Sequence, residues 1–158
     1  MRRYFTGTAL AGLLILAACG EAEVAENDGG PPMAIAVADG LEFTIKSVKT
    51  VDEVSRNQTF TAAPGETFVV VRYTVKNVSD QVIKARDTSK LILRDEKGRR
   101  QERDNSLSVW TTDETEADLN PDLSGPRTDI WRVSSANYNP STWLLVAETK
   151  PELTFKLK

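Results

Sequence analysis

The chain has 158 residues, with 20 lysine and arginine residues, 23 aspartate and glutamate residues, one cysteine and no histidine. The absence of histidine excludes Ser-His and Cys-His catalysis, histidine zinc sites and imidazole pH switches. Two basic and five acidic residues precede Leu41, which leaves 18 of each sign from that residue onward. The folded part therefore lacks the positive charge of nucleic-acid-binding proteins, and we expect no nucleic-acid partner.

Residues 1–18 form a predicted signal peptide. Arg2 and Arg3 give a short positive segment, and an apolar run follows from Ala9 to Ala18, ending in small residues. The run is shorter than the ~20 apolar residues that a membrane-spanning helix needs. We therefore expect export and cleavage, with no span of the bilayer.

The end of this segment, Leu16-Ala17-Ala18-Cys19, resembles the lipobox of bacterial lipoproteins. The resemblance implies that Leu16, Ala17 and Ala18 form the cleavage motif and that the Cys19 thiol receives a diacylglyceryl group. Cysteine is the strongest side-chain nucleophile near neutral pH, which suits this chemistry. Two or more acyl chains, at ~0.8 kcal/mol per buried methylene, hold a protein stably. We therefore expect membrane lipid as a partner through Cys19.

Residue 20 bears on which membrane is used. Aspartate after the lipidated cysteine retains enteric-type lipoproteins in the inner membrane, and this chain has Gly20. The resemblance therefore favours the outer membrane over the inner one, in a cell that has both, with the domain facing the periplasm. Arg2-Arg3-Tyr4-Phe5 partly resembles a twin-arginine signal, but no serine or threonine stands before it, so ordinary Sec export is favoured.

Residues 19–40 are predicted to form an acidic, flexible linker after the lipidated cysteine. The stretch is rich in glutamate, and Gly29-Gly30 and Pro31-Pro32 disfavour any regular element. A flexible chain of about 19 residues has a root-mean-square reach of roughly 25 Å. Met33 to Val37 is an alternative first edge strand at the end of this linker.

Residues 41–158 are predicted to form one β-rich domain. Leu41, Phe43 and Ile45 alternate with polar residues, as in a half-buried strand, and Val48 and Val51 break the parity, which suggests a bulge or a strand end. Pro64-Gly65-Glu66 is a turn signal.

Phe68 to Asn77 has the highest density of β-branched and aromatic residues in the chain, which favours a central strand. Asn77 to Asp80 then forms a tight polar turn.

Further strands are predicted around four later landmarks. Asp95 to Gly98 closes a hairpin, with Gly98 at positive φ. Strands are expected at the following segments: Ser106 to Thr111, Ile130 to Val133, Trp143 to Ala147, and Leu153 to Leu157. About seven to eight short strands and no convincing helix indicate an all-β fold, an immunoglobulin-like antiparallel β-sandwich.

Three segments together resemble a bacterial immunoglobulin-like domain of unknown function that occurs in lipoproteins and secreted proteins. The matching segments are Phe68 to Asp80, Leu91 to Gly98, and Ile130 to Val133 with Trp131 in the aromatic place. Some members carry a misleading label as telomeric repeat-binding factors, and the fold is similar to a secreted mycobacterial immunoprotective antigen. Two departures are the Leu119 to Gly125 turn, which lacks adjacent Pro-Gly, and Ser134, where a proline is common.

The resemblance implies a non-catalytic accessory module that binds an envelope or secreted protein, with sheet-edge pairing as one mode. We expect a monomer with no cofactor. Two alternatives remain: a purely structural envelope protein, and a hydrolase that uses carboxylates such as Asp113, Glu114 or Asp129.

Two charged groups have simple interpretations. The acidic residues around Asn120-Pro121 lack the spacing of a calcium loop, so a solvated loop is favoured over a metal site; they are Asp113, Glu114, Glu116, Asp118 and Asp122. A basic group interleaves with acidic residues, as on a protected edge hairpin; it comprises Lys97, Arg99, Arg100 and Arg103.

The large aromatic residues divide into core and surface candidates. Trp131 and Trp143 lie in predicted strands and are expected in the core. Trp110 and Tyr138 lie near turns, where aromatic side chains often anchor binding, so they are the candidate contact patch.

Overall fold

The computed structural model describes residues 32–55, 57–88, 90–107 and 117–158, and these contain ten β-strands. The strands are β1 (Ala34–Ala38), β2 (Leu41–Val51), β3 (Glu53–Ser55), β4 (Thr59–Thr61), β5 (Glu66–Asn77), β6 (Leu91–Arg94), β7 (Arg100–Gln101), β8 (Ser124–Ser134), β9 (Leu144–Ala147) and β10 (Leu153–Lys156). A 3-10 turn at Ala85–Asp87 separates β5 from β6. Cys19 and its neighbours Leu16, Ala17 and Ala18 lie outside the described residues.

The strands form two four-stranded sheets and one small hairpin, and all pairings are antiparallel. The first sheet has the order β1-β2-β5-β8 and the second has the order β10-β9-β6-β7, while β3 pairs only with β4. One buried apolar cluster joins Phe43, Val71 and Trp131 of the first sheet to Leu93 and Leu145 of the second. The predicted antiparallel β-sandwich is therefore confirmed, with more strands than expected because β1, β7 and the β3–β4 hairpin are short.

Strand β5 is the centre of the first sheet, as its composition predicts. It pairs with β2 on one side and with β8 on the other along most of its length. Val69, Val71, Tyr73 and Val75 are all buried on the face that meets the second sheet. The expected core tryptophans are also confirmed, since Trp131 and Trp143 are buried.

The predicted irregularity in β2 is a bulge. The pairing with β5 shifts between Ile45 and Ser47, so that Lys46 is the extra residue. One extra residue exchanges the two faces of a strand. Val48 therefore packs against the main core, whereas Val51 packs against a small cluster on the opposite face of the sheet.

That small cluster lies under the β3–β4 hairpin. Its buried members are Val54, Phe68, Leu107 and Ile130, and Phe60 of β4 packs against them. The outward face of β5 and β8 is thus apolar at one end of the sheet and polar at the other.

The strand predicted over Ser106 to Thr111 is wrong at its start, because residues 105–107 are helical. The Asp104 carboxylate accepts hydrogen bonds from the backbone N–H of Ser106 (3.1 Å) and Leu107 (3.3 Å). An aspartate that satisfies the first free N–H groups is an N-cap, and it favours a helical turn over an extended chain. The turn inserts Leu107 into the small cluster.

The hairpin predicted at Asp95 to Gly98 joins β6 to β7, and Gly98 has φ of 77°. Asp95 organises it by accepting hydrogen bonds from the backbone N–H of Lys97 (2.9 Å) and Arg99 (2.8 Å) and from the Arg99 guanidinium (2.6 Å). Burial raises the pKa of Asp95, but these donors outweigh it and leave the pKa below the usual range.

The first strand extends the sandwich upstream of Leu41. The edge strand predicted over Met33 to Val37 is present as β1, paired with β2. The folded part therefore includes residues that composition alone assigns to the linker. Among the described residues, none lies in a helix long and apolar enough to cross a bilayer.

Asn77 joins four parts of the chain at one end of the sandwich and is fully buried. Its side-chain NH₂ donates to the carbonyls of Gln81 (2.6 Å) and Leu119 (2.8 Å), and its Oδ1 accepts from the Ser79 N–H (2.9 Å) and hydroxyl (2.7 Å). Its backbone N–H donates to Leu123, and the next residue, Val78, donates to Gly40 of the β1–β2 turn. The side-chain amide thus ties the 79–81 turn and the Leu119 carbonyl to the end of β5, and the backbone of Asn77 and Val78 ties the segments at Leu123 and Gly40 to it.

Replacement of Asn77 by alanine should lower the free energy of unfolding by about 2–4 kcal/mol, because the Ser79 N–H would lose its acceptor and the Leu119 and Gln81 carbonyls would each lose one donor. Urea-induced unfolding measures this loss. Asn57→Ala, at an exposed position, is the matched control and should change stability by less than about 0.5 kcal/mol. Equal effects of the two substitutions would contradict the role of Asn77.

Candidate functional site

A buried charged network lies between the sheets beside β8. Asp129 is 1% exposed, and its Oδ2 accepts a hydrogen bond from the Tyr73 hydroxyl at 2.8 Å. Its Oδ1 accepts from the Arg103 guanidinium, also at 2.8 Å. Both oxygens therefore have strong donors, as a buried carboxylate requires. The network links β5 and β8 of the first sheet to the segment that follows β7.

Arg127 completes the positive side of this network. It is buried, faces the core two residues before Asp129, and donates from Nη1 to the Pro126 carbonyl at 2.9 Å. A Cβ on Gly125 would lie 2.7 Å from that nitrogen, so a larger residue at this position would force the Arg127 guanidinium to shift.

The pKa of Tyr73 is raised well above the usual range of a tyrosine phenol. Burial raises its pKa most, the negative charge of Asp129 and the hydrogen bond to it raise the pKa further, and Arg103 and Arg127 oppose the shift. The neutral phenol is therefore the stable form in the folded protein. A neutral phenol and the Arg103 guanidinium that donate to one buried carboxylate are the arrangement of a structural network.

The hydrolase alternative has one candidate residue in the described chain, Asp129, and the other two, Asp113 and Glu114, lie outside it. Asp129 does not face an open cleft, since it is almost fully buried between Tyr73 and Arg103. The geometry gives this carboxylate a role in joining strands.

Two residues of the acidic group around Asn120-Pro121, Asp118 and Asp122, are described by the structure, and they do not form a metal centre with each other. The Lys84 ammonium (2.8 Å) and the Ala85 N–H (3.0 Å) contact the Asp118 carboxylate and hold its pKa below the usual range. Asp122 is exposed, 3.9 Å from Lys76. Within the described ranges, no three acidic or cysteine side chains gather in a metal-binding group. The remaining acidic residues, Asp113, Glu114 and Glu116, lie outside those ranges.

The arginines of the basic group lie beside carboxylates; Arg99 and Arg100 lie at the β6–β7 hairpin on the edge of the second sheet, whereas Arg103 enters the buried network at Asp129. Arg99 contacts Asp95, Arg100 contacts Glu102 and Glu148, and Arg103 contacts Asp129.

The predicted aromatic patch is described only in part, because Trp110 lies outside the described residues. Tyr138 is half-buried and packs edge-on against Trp143, with ring centroids 5.3 Å apart. Burial raises the pKa of its phenol. Much of the ring is thus used in packing against the core. A ligand role for Trp110 and Tyr138 stays a prediction.

The most exposed apolar surface on a strand belongs to β1 and the residue before it. Ile35 is 57% exposed, Val37 53% and Met33 47%. The alternate residues are small: Ala34 and Ala36 pack against the core and Ala38 is buried. The strand therefore turns its alanines inward and its large apolar side chains outward, the reverse of an ordinary amphipathic edge strand.

The position of β1 explains why alanines face inward. Strand β1 contacts β10 of the second sheet, so the two sheets approach each other at this side. The Asp39 carboxylate after β1 also accepts a hydrogen bond from the Lys150 N–H, which holds the β1–β2 turn against the second sheet. Small side chains permit this close approach.

The edge of β1 differs from the other edges of the two large sheets in having no charge. Natural edge strands usually carry charges, which prevent pairing with other chains. Among the described strands, the edge strand β10 carries Lys156, β7 carries Arg100, and β8 carries several charges. Residues 33–38 contain none, and no further strand pairs with β1 in the described part of the chain. We call this surface, Met33, Ile35 and Val37 with the free backbone edge of β1, the uncharged edge.

The sequence predicted the edge strand but not which of its faces is exposed. The sequence from Met33 to Ala38 alternates large apolar residues at odd-numbered positions with alanines at even-numbered positions. Alternation shows which residues share a face, but not which face is solvated. The structure supplies that information.

Comparison with known proteins places the fold among bacterial β-sandwiches. Residues 35–126, more than half of the chain, match a family described as a domain of unknown function, DUF4352. A conserved hypothetical protein from Bacillus anthracis superposes with a TM-score of 0.68 at 16% identity, covering 81% of this chain and 94% of that one. No curated protein matches the sequence.

Two further solved structures share the fold. An uncharacterized β-sandwich protein from Clostridium difficile 630 has a TM-score of 0.56 at 14% identity, covering 80% of this chain and 91% of that one. A protein from Bacillus subtilis described as a "putative lipoprotein" has a TM-score of 0.52 at 16% identity, covering 77% of this chain and 37% of that one. At these identities the likeness shows the fold.

The Tyr73→Phe variant should lose about 1.5–3 kcal/mol of stability at pH 7, because Asp129 loses a buried donor. Its pH dependence should also change. The pKa of Tyr73 is raised on folding, so the folded chain keeps a proton that the unfolded chain loses above about pH 10. This residue therefore makes wild-type stability fall as the pH rises above 10, by up to about 1.4 kcal/mol per pH unit.

Urea unfolding between pH 7 and 11 tests both expectations. The difference in stability between wild type and Tyr73→Phe should narrow as the pH rises above 10. A constant difference would contradict the burial of a protonated Tyr73.

Proposed function

The chain belongs to the DUF4352 family, and from this premise we propose that it is a lipid-anchored envelope protein whose β-sandwich binds an extended segment of a protein, without catalysis. Cys19 is the proposed anchor. The uncharged edge is the proposed binding element, and the side chains of Met33, Ile35 and Val37 are the proposed contacts.

The observation that carries the binding role is the composition of the uncharged edge. A free strand edge offers backbone N–H and C=O groups to an added strand, and exposed alternate side chains select the segment that pairs. In the described chain, the other edges of the two large sheets carry charges, and β1 carries none. An exposed strand edge without charges tends to pair with other chains. The presence of such an edge therefore supports a specific binding partner.

The non-catalytic part of the proposal is supported by the environment of the polar groups. Asp129 has its two oxygens occupied, Asp118 pairs with Lys84, and Asp95 holds a turn. These carboxylates of the described chain serve structure. The absence of histidine removes the most common general base.

The anchor is supported by the Leu16-Ala17-Ala18-Cys19 sequence and by its distance from the fold. Fourteen residues separate Cys19 from Ala34, where β1 begins. A chain of this length spans at most about 50 Å when fully extended. Lipid on Cys19 would therefore keep the uncharged edge within that distance of the bilayer, facing other envelope proteins of the same membrane.

Replacement of Cys19 by serine should abolish incorporation of labelled palmitate and move the protein from the membrane fraction to the soluble fraction, because serine does not accept the thioether-linked lipid. Ala22→Ser is the matched control and should remain labelled and membrane-bound. A Cys19→Ser chain that still incorporates palmitate would refute acylation at this residue.

The binding role has a separate test. A photo-cross-linking amino acid at residue 35, in intact cells, should form a covalent product with a protein. The same amino acid at residue 74, on the outward face of β5 and two strands away from β1, should form little. Equal yields at both positions, or none at residue 35 in a membrane-bound chain, would contradict binding at the uncharged edge.

A further inference from the structure

The sequence of β1 is nearly the same in both directions. Ala34-Ile35-Ala36-Val37-Ala38 is symmetric about Ala36, except that isoleucine and valine exchange places. We propose that the uncharged edge pairs antiparallel with β1 of a second copy of this chain, about a two-fold axis at Ala36. The inference rests on the proposed function and names the partner of that edge.

The symmetric register satisfies both the side chains and the backbone. About Ala36, Ile35 lies opposite Val37 of the second copy, and Ala34 lies opposite Ala38 of the second copy. Opposed β-branched side chains on one face stabilise an antiparallel pair. In this register, even-numbered residues oppose even-numbered residues and odd-numbered residues oppose odd-numbered ones. The backbone N–H and C=O groups on the free edge of one copy therefore face those on the free edge of the other.

The faces of the two sheets also continue across such a pair. Ile35 and Val37 of both copies would lie on the outer face and cover one another, while the alanines of both copies would remain on the core side. Self-pairing through one identical patch is the closed, isologous arrangement that most soluble homodimers use. The combined first sheets would form one eight-stranded sheet.

Charge supports pairing at β1 over pairing at β7. Two copies joined through the two-residue strand β7 would bring the Arg100 side chains of both copies close together. Like charges on paired strands are destabilising. Strand β1 carries no charge, and neither does Met33 before it.

The tethers fit the same geometry. In the proposed pair, Ala34 of each copy lies two residues from the axis, which is about 7 Å along the strand. Both linkers would therefore leave the pair close together and could reach one membrane. A contact of five paired residues is small, since stable protein–protein interfaces bury ~1,200–2,000 Å² of surface. Confinement of both copies to one membrane raises their effective concentration and compensates for the short contact.

An engineered cysteine at the axis provides the measurement. In membranes from cells that make the full-length Ala36→Cys chain, oxidation should give a disulfide-linked species of twice the mass of the chain. Residues directly opposite each other in an antiparallel pair have Cα atoms ~4.5–5.5 Å apart, within the range that a disulfide spans. The wild-type chain controls for Cys19, and Thr74→Cys, on the outward face of the central strand β5, is the matched control; neither should give the species.

Charge substitutions in the Ala36→Cys background then test the register. Ile35→Lys with Val37→Lys places lysine opposite lysine and should reduce the linked species by about tenfold or more. Ile35→Lys with Val37→Glu has the same number of charged side chains, but it places lysine opposite glutamate in the symmetric register. This second variant should restore most of the yield, which separates pairing from a general loss of folding.

The outcomes separate the partner from the function. A disulfide from Ala36→Cys to a different protein would overturn the second-copy inference and leave binding at the uncharged edge intact. A membrane-bound Ala36→Cys chain that forms no disulfide would overturn the inference. The photo-cross-linking experiment at residue 35 would then show whether another protein binds the uncharged edge. Equal yields from the two charge variants would overturn the symmetric register.

Discussion

The buried amide of Asn77 is the interaction on which the end of the sandwich at the last residue of β5 depends. Asn77 stands where the central strand ends, and its side chain contacts the 79–81 turn and the Leu119 carbonyl. Its backbone and that of Val78 hold the loop at Leu123 and the β1–β2 turn at Gly40. A buried amide whose donors and acceptor are all used is strongly directional, because its hydrogen bonds fix the side chain relative to each partner. The turn before β2, and with it the placement of β1, is thus set from the end of β5.

The second constraint is the charged network at Asp129, which joins β5, β8 and the segment after β7 from within the core. Burial of a carboxylate is costly, so the structure compensates with Tyr73 and Arg103 and with the positive charge of Arg127 nearby. Gly125 leaves the space that Arg127 occupies. The polar groups between the sheets therefore serve to align strands, while the outer face of β1 carries the most exposed large apolar side chains among the described strands.

These features together give the domain an uneven surface. Ion pairs such as Arg94–Glu152 and Arg100–Glu148 cover the second sheet, and the small cluster under the β3–β4 hairpin covers one end of the first. The uncharged edge lies at the β1 edge of the first sheet, and Met33 is its first residue in the chain. If the proposed anchor at Cys19 and the proposed binding at β1 both hold, partners in the same membrane are favoured, because confinement raises their effective concentration.

Periodicity and composition by themselves determined the strand-rich fold, the central position of Phe68 to Asn77, the burial of Trp131 and Trp143 and the irregularity in β2, since these follow from side-chain alternation and β-propensity. Three features required the tertiary structure. The helical residues 105–107 are capped by Asp104, and Asp129 is buried because Tyr73 and Arg103 reach it from distant segments. Ile35 and Val37 face outward because the alanines between them face the core beside β10. Alternation assigns residues to a face, but only the neighbouring elements decide which face is buried, and that choice turned an unremarkable first strand into the candidate binding surface.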